Sequence, residues 1–253
     1  MSWKPWALVL GILAAVEAVV LLFNVPKFLV PAPSQVFLVL WQEWEYLLSN
    51  VWATVYETWV GFLIALVIGV ALAVPVALTK FGEQSLMPIL VATQSVPKTA
   101  LAPIFVVWFG FGFAPKIVVA ALLAFFPIVV NMVRGLRAVD LEMVQYLRTL
   151  GASSWEIFRR LRVPSSGPYL FAAMKVSVSL ATVGAIVGEF IGADQGLGYV
   201  ILRAINNFDT TMMFAALIVV SLVGVASYGV IAAVEKRVLA WQPDDIAAVA
   251  AGA

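Results

Sequence analysis

The chain has 253 residues, 63% hydrophobic and 11% charged, whereas a soluble domain carries about 25% charged residues; it reads as an integral membrane protein. The formal net charge of +1 gives no support for a nucleic-acid partner. Cysteine and histidine are both absent, which excludes disulfides, thiolate or imidazole metal sites and histidine acid–base chemistry within the chain.

MSWKPW and the apolar run to Phe23 have the positive flank of a signal peptide. The run is longer than the usual stretch of about 7 to 15 residues, and no small-residue cleavage pattern follows. It reads as a retained first span. Segments near the roughly 20 residues needed to cross a membrane recur at 6–23, 53–78, 86–109, 117–134, 168–191 and 212–234. The expectation is an all-α polytopic protein with about six spans, forming one domain over 1–253. An even number puts both termini on one side. Lys4, Lys80, Arg134, Arg137, Arg148, Arg159, Arg160, Arg162, Lys236 and Arg237 fall on that side, against Lys27, Lys116 and Arg203 on the other. Ten against three makes it the cytoplasmic side.

Pro-rich NVPKFLVPAPSQ reads as an external connection, and VFLVLWQEWEYLLSN, with Trp41 and Trp44, as an interfacial helix. Span two carries Glu57 near its outer end, either interfacial and solvated or a substrate contact. In span three Pro97 and Pro103 flank Lys98, which implies a broken helix lining a buried or wet cavity. Lys98 then faces a pathway, snorkels, or pairs internally. Trp108, Phe109, Phe125 and Phe126 are either stacking faces for a flat solute or lipid-facing rings.

The polar loop 138–167 follows span four. Asp140 is placed to N-cap a helix over Leu141–Leu150, Gly151 to end it, and Ser153 with Glu156 to form a capping box for a second short helix. Pro164 and Pro168 mark the return to the membrane, and Lys175 reads as a snorkelling residue. In span five Gly184, Gly188, Gly192 and Gly196 recur at i, i+4, a face for close helix packing or a dimer contact. Glu189 beside them is a gate, a substrate contact or a buried tie between helices. The tail after Trp241 reads as short and frayed. No GxxxxGK[ST] phosphate loop is present, so ATP, if it drives transport, binds another polypeptide.

The spacing RTLG, Gly151, Leu161, Val163, Pro164 resembles the cytoplasmic "EAA" loop of ABC importer permeases of the binding-protein-dependent inner-membrane family. The similarity covers about residues 30–240. VPKTALAPIFVVWFGFG, AFFPIVVN and VGEFIGADQGLGY look like the branch serving nitrate, sulfonate, taurine and thiamine-pyrimidine or riboflavin uptake, and NNFDTTMMFAAL most resembles its vitamin-precursor members.

The resemblance implies a type I (MetI-like) permease fold in a bacterial cytoplasmic membrane. It also implies a homodimer, two ATP-binding subunits holding ATP and Mg, no cofactor in this chain, and an extracytoplasmic substrate-binding protein. The ATPase-coupling surface would comprise Glu142, Gln145, Leu147, Leu150, Gly151, Ala152, Ser153, Leu161 and Pro164. The family's Glu-Ala-Ala falls on Gln145, Tyr146 and Leu147, so any ion pair made by that glutamate is lost or moves to Glu142. A secondary carrier or channel is the rival reading; a membrane enzyme is weaker, since the buried Ser and Thr have no identifiable base.

Overall fold

A computed structural model describes residues 4–241. The tail from Gln242, expected to fray, and Met1 to Trp3 lie outside the described residues. In chain order the helices are α1 (Lys4–Leu22), α2 (Pro33–Gln42), α3 (Trp44–Leu78), α4 (Met87–Ala92), α5 (Ala102–Phe109) and α6 (Phe113–Arg137). They continue with α7 (Leu141–Thr149), α8 (Ser154–Ile157), α9 (Val163–Glu189), α10 (Leu197–Asn206) and α11 (Thr210–Val238). Away from its ends a helix pairs its backbone N–H and C=O groups internally, which an apolar bilayer demands.

Four helical rods are long and apolar enough to cross a membrane: α3, α6, the continuous run Ser154–Glu189, and α11. Among the described residues the pair Gly82–Ser95 and Lys98–Phe109, bent by 80°, is apolar enough to make a fifth crossing if it is one broken span. The first expected span is shorter. Its apolar stretch Ala7–Leu22, at about 1.5 Å per residue, falls a few Å short of a hydrocarbon core of about 30 Å. Glu17 ties α1 to the start of α2, accepting from Ser34 N at 2.9 Å and Ser34 Oγ at 2.7 Å.

Helix α6 sits between α3 and α9 because small residues line both of its contacts. A Cβ on Gly61 would lie 2.6 Å from Ala120 Cβ, and one on Gly184 would lie 2.6 Å from Ala120 Cα. Gly188 comes as close to Lys116, and Gly135 to Ser166 and Tyr169. Gly184 and Gly188 pack helices within the chain, whereas Gly192 and Gly196 lie past the end of α9 at φ +140° and +113°. Phe62, Ala65, Ala124, Ile128, Val178 and Ala181 fill the core between the three helices.

Two further expectations change. The second loop helix does not end as a short separate helix before the membrane. It passes through a π turn, Phe158–Arg162, directly into α9. Pro164 lies in the first turn of α9, where a missing N–H is tolerated, so it continues the helix instead of closing the loop. Lys175 does not snorkel; its Nζ lies 2.8 Å from Glu235 Oε2, pairing α9 with α11.

Candidate functional site

The loop between α6 and α9 is built by its caps. Asp140 accepts from Glu142 N at 2.9 Å to start α7. At the other end Gly151 has φ +83°, its N–H donates to Arg148 O, and Ala152 N–H donates to Leu147 O, both at 3.0 Å. Those two bonds around a left-handed glycine form a Schellman cap. Ser153 and Glu156 then make the reciprocal capping box that begins α8.

The turn is thereby rigid, and apolar side chains stand on it in solvent: Tyr146 is 60% exposed, Leu150 66% and Trp155 66%. Trp155 stacks on Phe158 at 5.5 Å. Glu142, Gln145 and Ser153 are exposed, while Leu147, Ala152, Leu161 and Pro164 are half-buried and support the surface more than they form it. Met143, Tyr146 and Trp155 belong to the exposed surface but were missing from the sequence-derived set. The spacing of Met143, Tyr146 and Leu150 at i, i+3, i+7 was the available signal.

The broken span carries a second polar locus. Pro88 and Pro103 open its two half-helices, where no N–H is needed. Pro97 holds Val96 extended, at ψ 124°. At the break Thr93, Gln94, Ser95 and Thr99 are exposed, and the half-exposed Lys98 donates from Nζ to Gln94 Oε1. Lipid cannot solvate such a segment, so it faces water or another protein surface.

A third locus lies at the end of the bundle away from the capped loop. Glu57 is 0% and Lys116 2% exposed, with Oε1 and Nζ 2.9 Å apart. Glu57 is thus not solvated at the interface, and Lys116 is not a free external cation. Glu189 is also fully buried; it accepts from Thr54 Oγ1 at 2.6 Å and from Gly198 N. Thr54 Oγ1 accepts from Leu197 N at 2.8 Å, and Asn50 Oδ1 from Gly196 N at 2.8 Å. Three successive backbone donors at the start of α10 are therefore bound by α3 and α9. Of the readings open for Glu189, the geometry matches a buried tie between helices. A Cβ on Gly196 or Gly198 would strike its carboxylate, which explains both glycines. Above the knot, Tyr46, Arg203, Asn207 and Asp209 line an open socket of about 310 Å³. The Arg203 guanidinium there lies over the Tyr46 ring at 6.0 Å.

The structure thus separates Lys98 from Glu57 and Glu189, which had been grouped as pathway residues: the first stands in an exposed break, the other two are locked inside the bundle.

Residues 65–240 match the family model described as "Binding-protein-dependent transport system inner membrane component". The chain is 36% identical over 216 residues to the formylaminopyrimidine transport permease protein ThiX of Halalkalibacterium halodurans, covering 85% of this chain and 86% of that one. It is 34% identical over 232 residues to the riboflavin transport system permease protein RibX of Chloroflexus aurantiacus, covering 89% and 85%. The fold matches the inward-facing MetNI methionine ABC transporter, with TM-score 0.61 at 23% identity over 75% of this chain and 96% of that one. The capped polar loop, the bundle with its broken span and these matches agree: the chain belongs to the inner-membrane permeases of binding-protein-dependent ABC importers.

Proposed function

We propose that the chain is one permease domain, 1–253, of an ATP-driven importer for a small organic solute, a vitamin precursor of the thiamine-pyrimidine or riboflavin class. It works as a homodimer with both termini in the cytoplasm of a bacterium. Two ATP-binding subunits hold ATP and Mg, and an extracytoplasmic binding protein delivers the solute; the chain itself moves the solute and does no covalent chemistry. The observation that carries this reading is the loop 138–167. Its doubly capped turn presents Tyr146, Leu150 and Trp155 to solvent on the arginine-rich side of the membrane, and rigid exposed apolar surface of that kind is interaction surface. The solute class rests on the names of the relatives.

In the proposed dimer the polar break faces the second copy and walls the solute path. Lys98, with no carboxylate partner among the described residues, offers an ammonium to solutes rich in hydrogen-bond acceptors. Gln145, Tyr146 and Leu147 replace Glu-Ala-Ala at the coupling face, which leaves Glu142 as its exposed carboxylate. Glu57 and Glu189 serve the path indirectly by holding its outer mouth.

One experiment tests the reading: proteoliposomes containing the chain, its ATP-binding subunit and its binding protein, assayed with riboflavin and formylaminopyrimidine. Uptake is expected to require ATP. Leu150→Asp is expected to release the ATP-binding subunit in pull-down. Lys98→Met is expected to retain that subunit and lower uptake by about tenfold, about 1.4 kcal/mol of lost transition-state binding. Uptake by the chain alone on an ion gradient would establish the carrier reading instead.

A further inference from the structure

The coupling loop and the polar break lie on different elements, and the structure shows what lies between them. Arg162, at the end of the π turn, donates from Nη1 to the carbonyl of Leu136 at 3.0 Å. That carbonyl is one of the four left without an intrahelical partner at the C-terminus of α6. The next residue, Arg137, reaches the other way. Its Nε donates to Ala77 O at 3.2 Å, its Nη2 to Val76 O at 2.9 Å, and its Nη1 lies 2.8 Å from Glu83 Oε1. Val76 and Ala77 form the last turn of α3, and Glu83 lies in the π turn Gly82–Leu86 that begins the broken span.

That turn is pressed onto α3, since a Cβ on Gly82 would lie 2.1 Å from Pro75 O. Apolar packing follows the same route: Phe158 from the loop and Leu86, Met87 and Leu90 from the broken span share one cluster with Val76 and Leu136.

We infer that Arg162 and Arg137 form a relay carrying displacement of the coupling loop to the broken span, with the Arg137–Glu83 pair as its last link; this rests on the ATP-driven reading above. Only arginine can do this from one side chain. Its planar fork offers five donors and binds two carbonyls and a carboxylate together, where a lysine ammonium offers three donors from one point. Helix capping alone explains the carbonyl bonds but not Glu83, which is 58% exposed and adds little to stability as a surface partner. Its contribution is directional. It makes the first turn of the broken span follow the end of α6. Arg162, Arg137 and Glu83 are positioning residues, acting on the path through α4 and the break.

The chain has no cysteine, so a nitroxide on Ser95→Cys labels the break alone on this subunit. In the assembled transporter, Mg·ATP with vanadate is expected to change the nitroxide spectrum relative to the nucleotide-free state. Glu83→Ala, a surface change that leaves the core intact, is expected to shrink that response by about twofold or more; Arg137→Lys is expected to keep part of it. A full response in the Glu83→Ala transporter overturns the relay while leaving the ATP-driven reading in place. No nucleotide response even with Arg137 and Glu83 intact overturns both.

Discussion

Removing Lys116 would strand the Glu57 carboxylate where water does not reach it, because both groups lie inside the bundle and each is the other's counter-charge. Breaking a buried pair from one side costs about 3–5 kcal/mol, whereas replacing both partners by apolar groups of similar volume is often neutral. Lys116→Met is therefore expected to lower the stability of the detergent-solubilised protein by that amount, and the double variant Lys116→Met with Glu57→Leu to recover most of it; chemical unfolding curves decide.

A different carboxylate answers to pH. Glu156 accepts from Ser153 N–H and from its hydroxyl, and these bonds hold its pKa below the ordinary 4.5, with Arg160 adding to the effect. A depressed folded-state pKa contributes stability that is full above the unfolded value and is lost as pH falls through the folded one. The capping box is expected to persist at neutral pH and to loosen only below pH 4.5. Amide hydrogen exchange at Ser153 and Glu156, the two N–H donors of the box, should then accelerate relative to the base-catalysed trend, and Glu156→Gln should remove that acid step.

Among elements, the capped turn at Gly151, a fixed-angle hinge between α7 and α8, is sensitive to backbone chemistry. Nothing lies within 4 Å of a Cβ built there, so a side chain meets no neighbour, but φ is +83°. A β-branched residue in the left-handed region costs about 1–2 kcal/mol, while asparagine tolerates it. Gly151→Val is expected to insert normally yet lower the solute moved per ATP hydrolysed, and Gly151→Asn to stay close to wild type. An unchanged ratio in Gly151→Val would remove the hinge from coupling.

The hinge, the Asp140 cap and the Ser153–Glu156 box were legible because capping is local chemistry, written within four residues. The break at Pro97 was legible for the same reason. The π turn was not, because an i to i+5 turn follows how Phe158 packs onto α3 and α6, and no short motif encodes it.

At the scale of the whole molecule, composition was enough for class, but not for the partners of the buried charges. Thr54 meets Glu189 across 135 positions, and Glu57 meets Lys116 across 59. Pairings at that separation exist only once α3, α6 and α9 have packed. For that reason Glu57 and Lys116 read singly as surface groups, while the exposed face of α7 carries Met143 and Tyr146 outside the positions that the family's motif marks.

The run Ser154–Glu189 is 36 residues of unbroken helix, about 54 Å at 1.5 Å per residue. It is bound to α6 near both ends, at Gly135 below and at Gly184 and Gly188 above. One extremity begins in the capped loop 138–167; the other is Glu189, which holds the start of α10. A stiff beam longer than the bilayer core cannot swing both extremities outward together. Any tilt of the beam that moves the capped loop one way therefore moves the start of α10 the other way, by leverage alone.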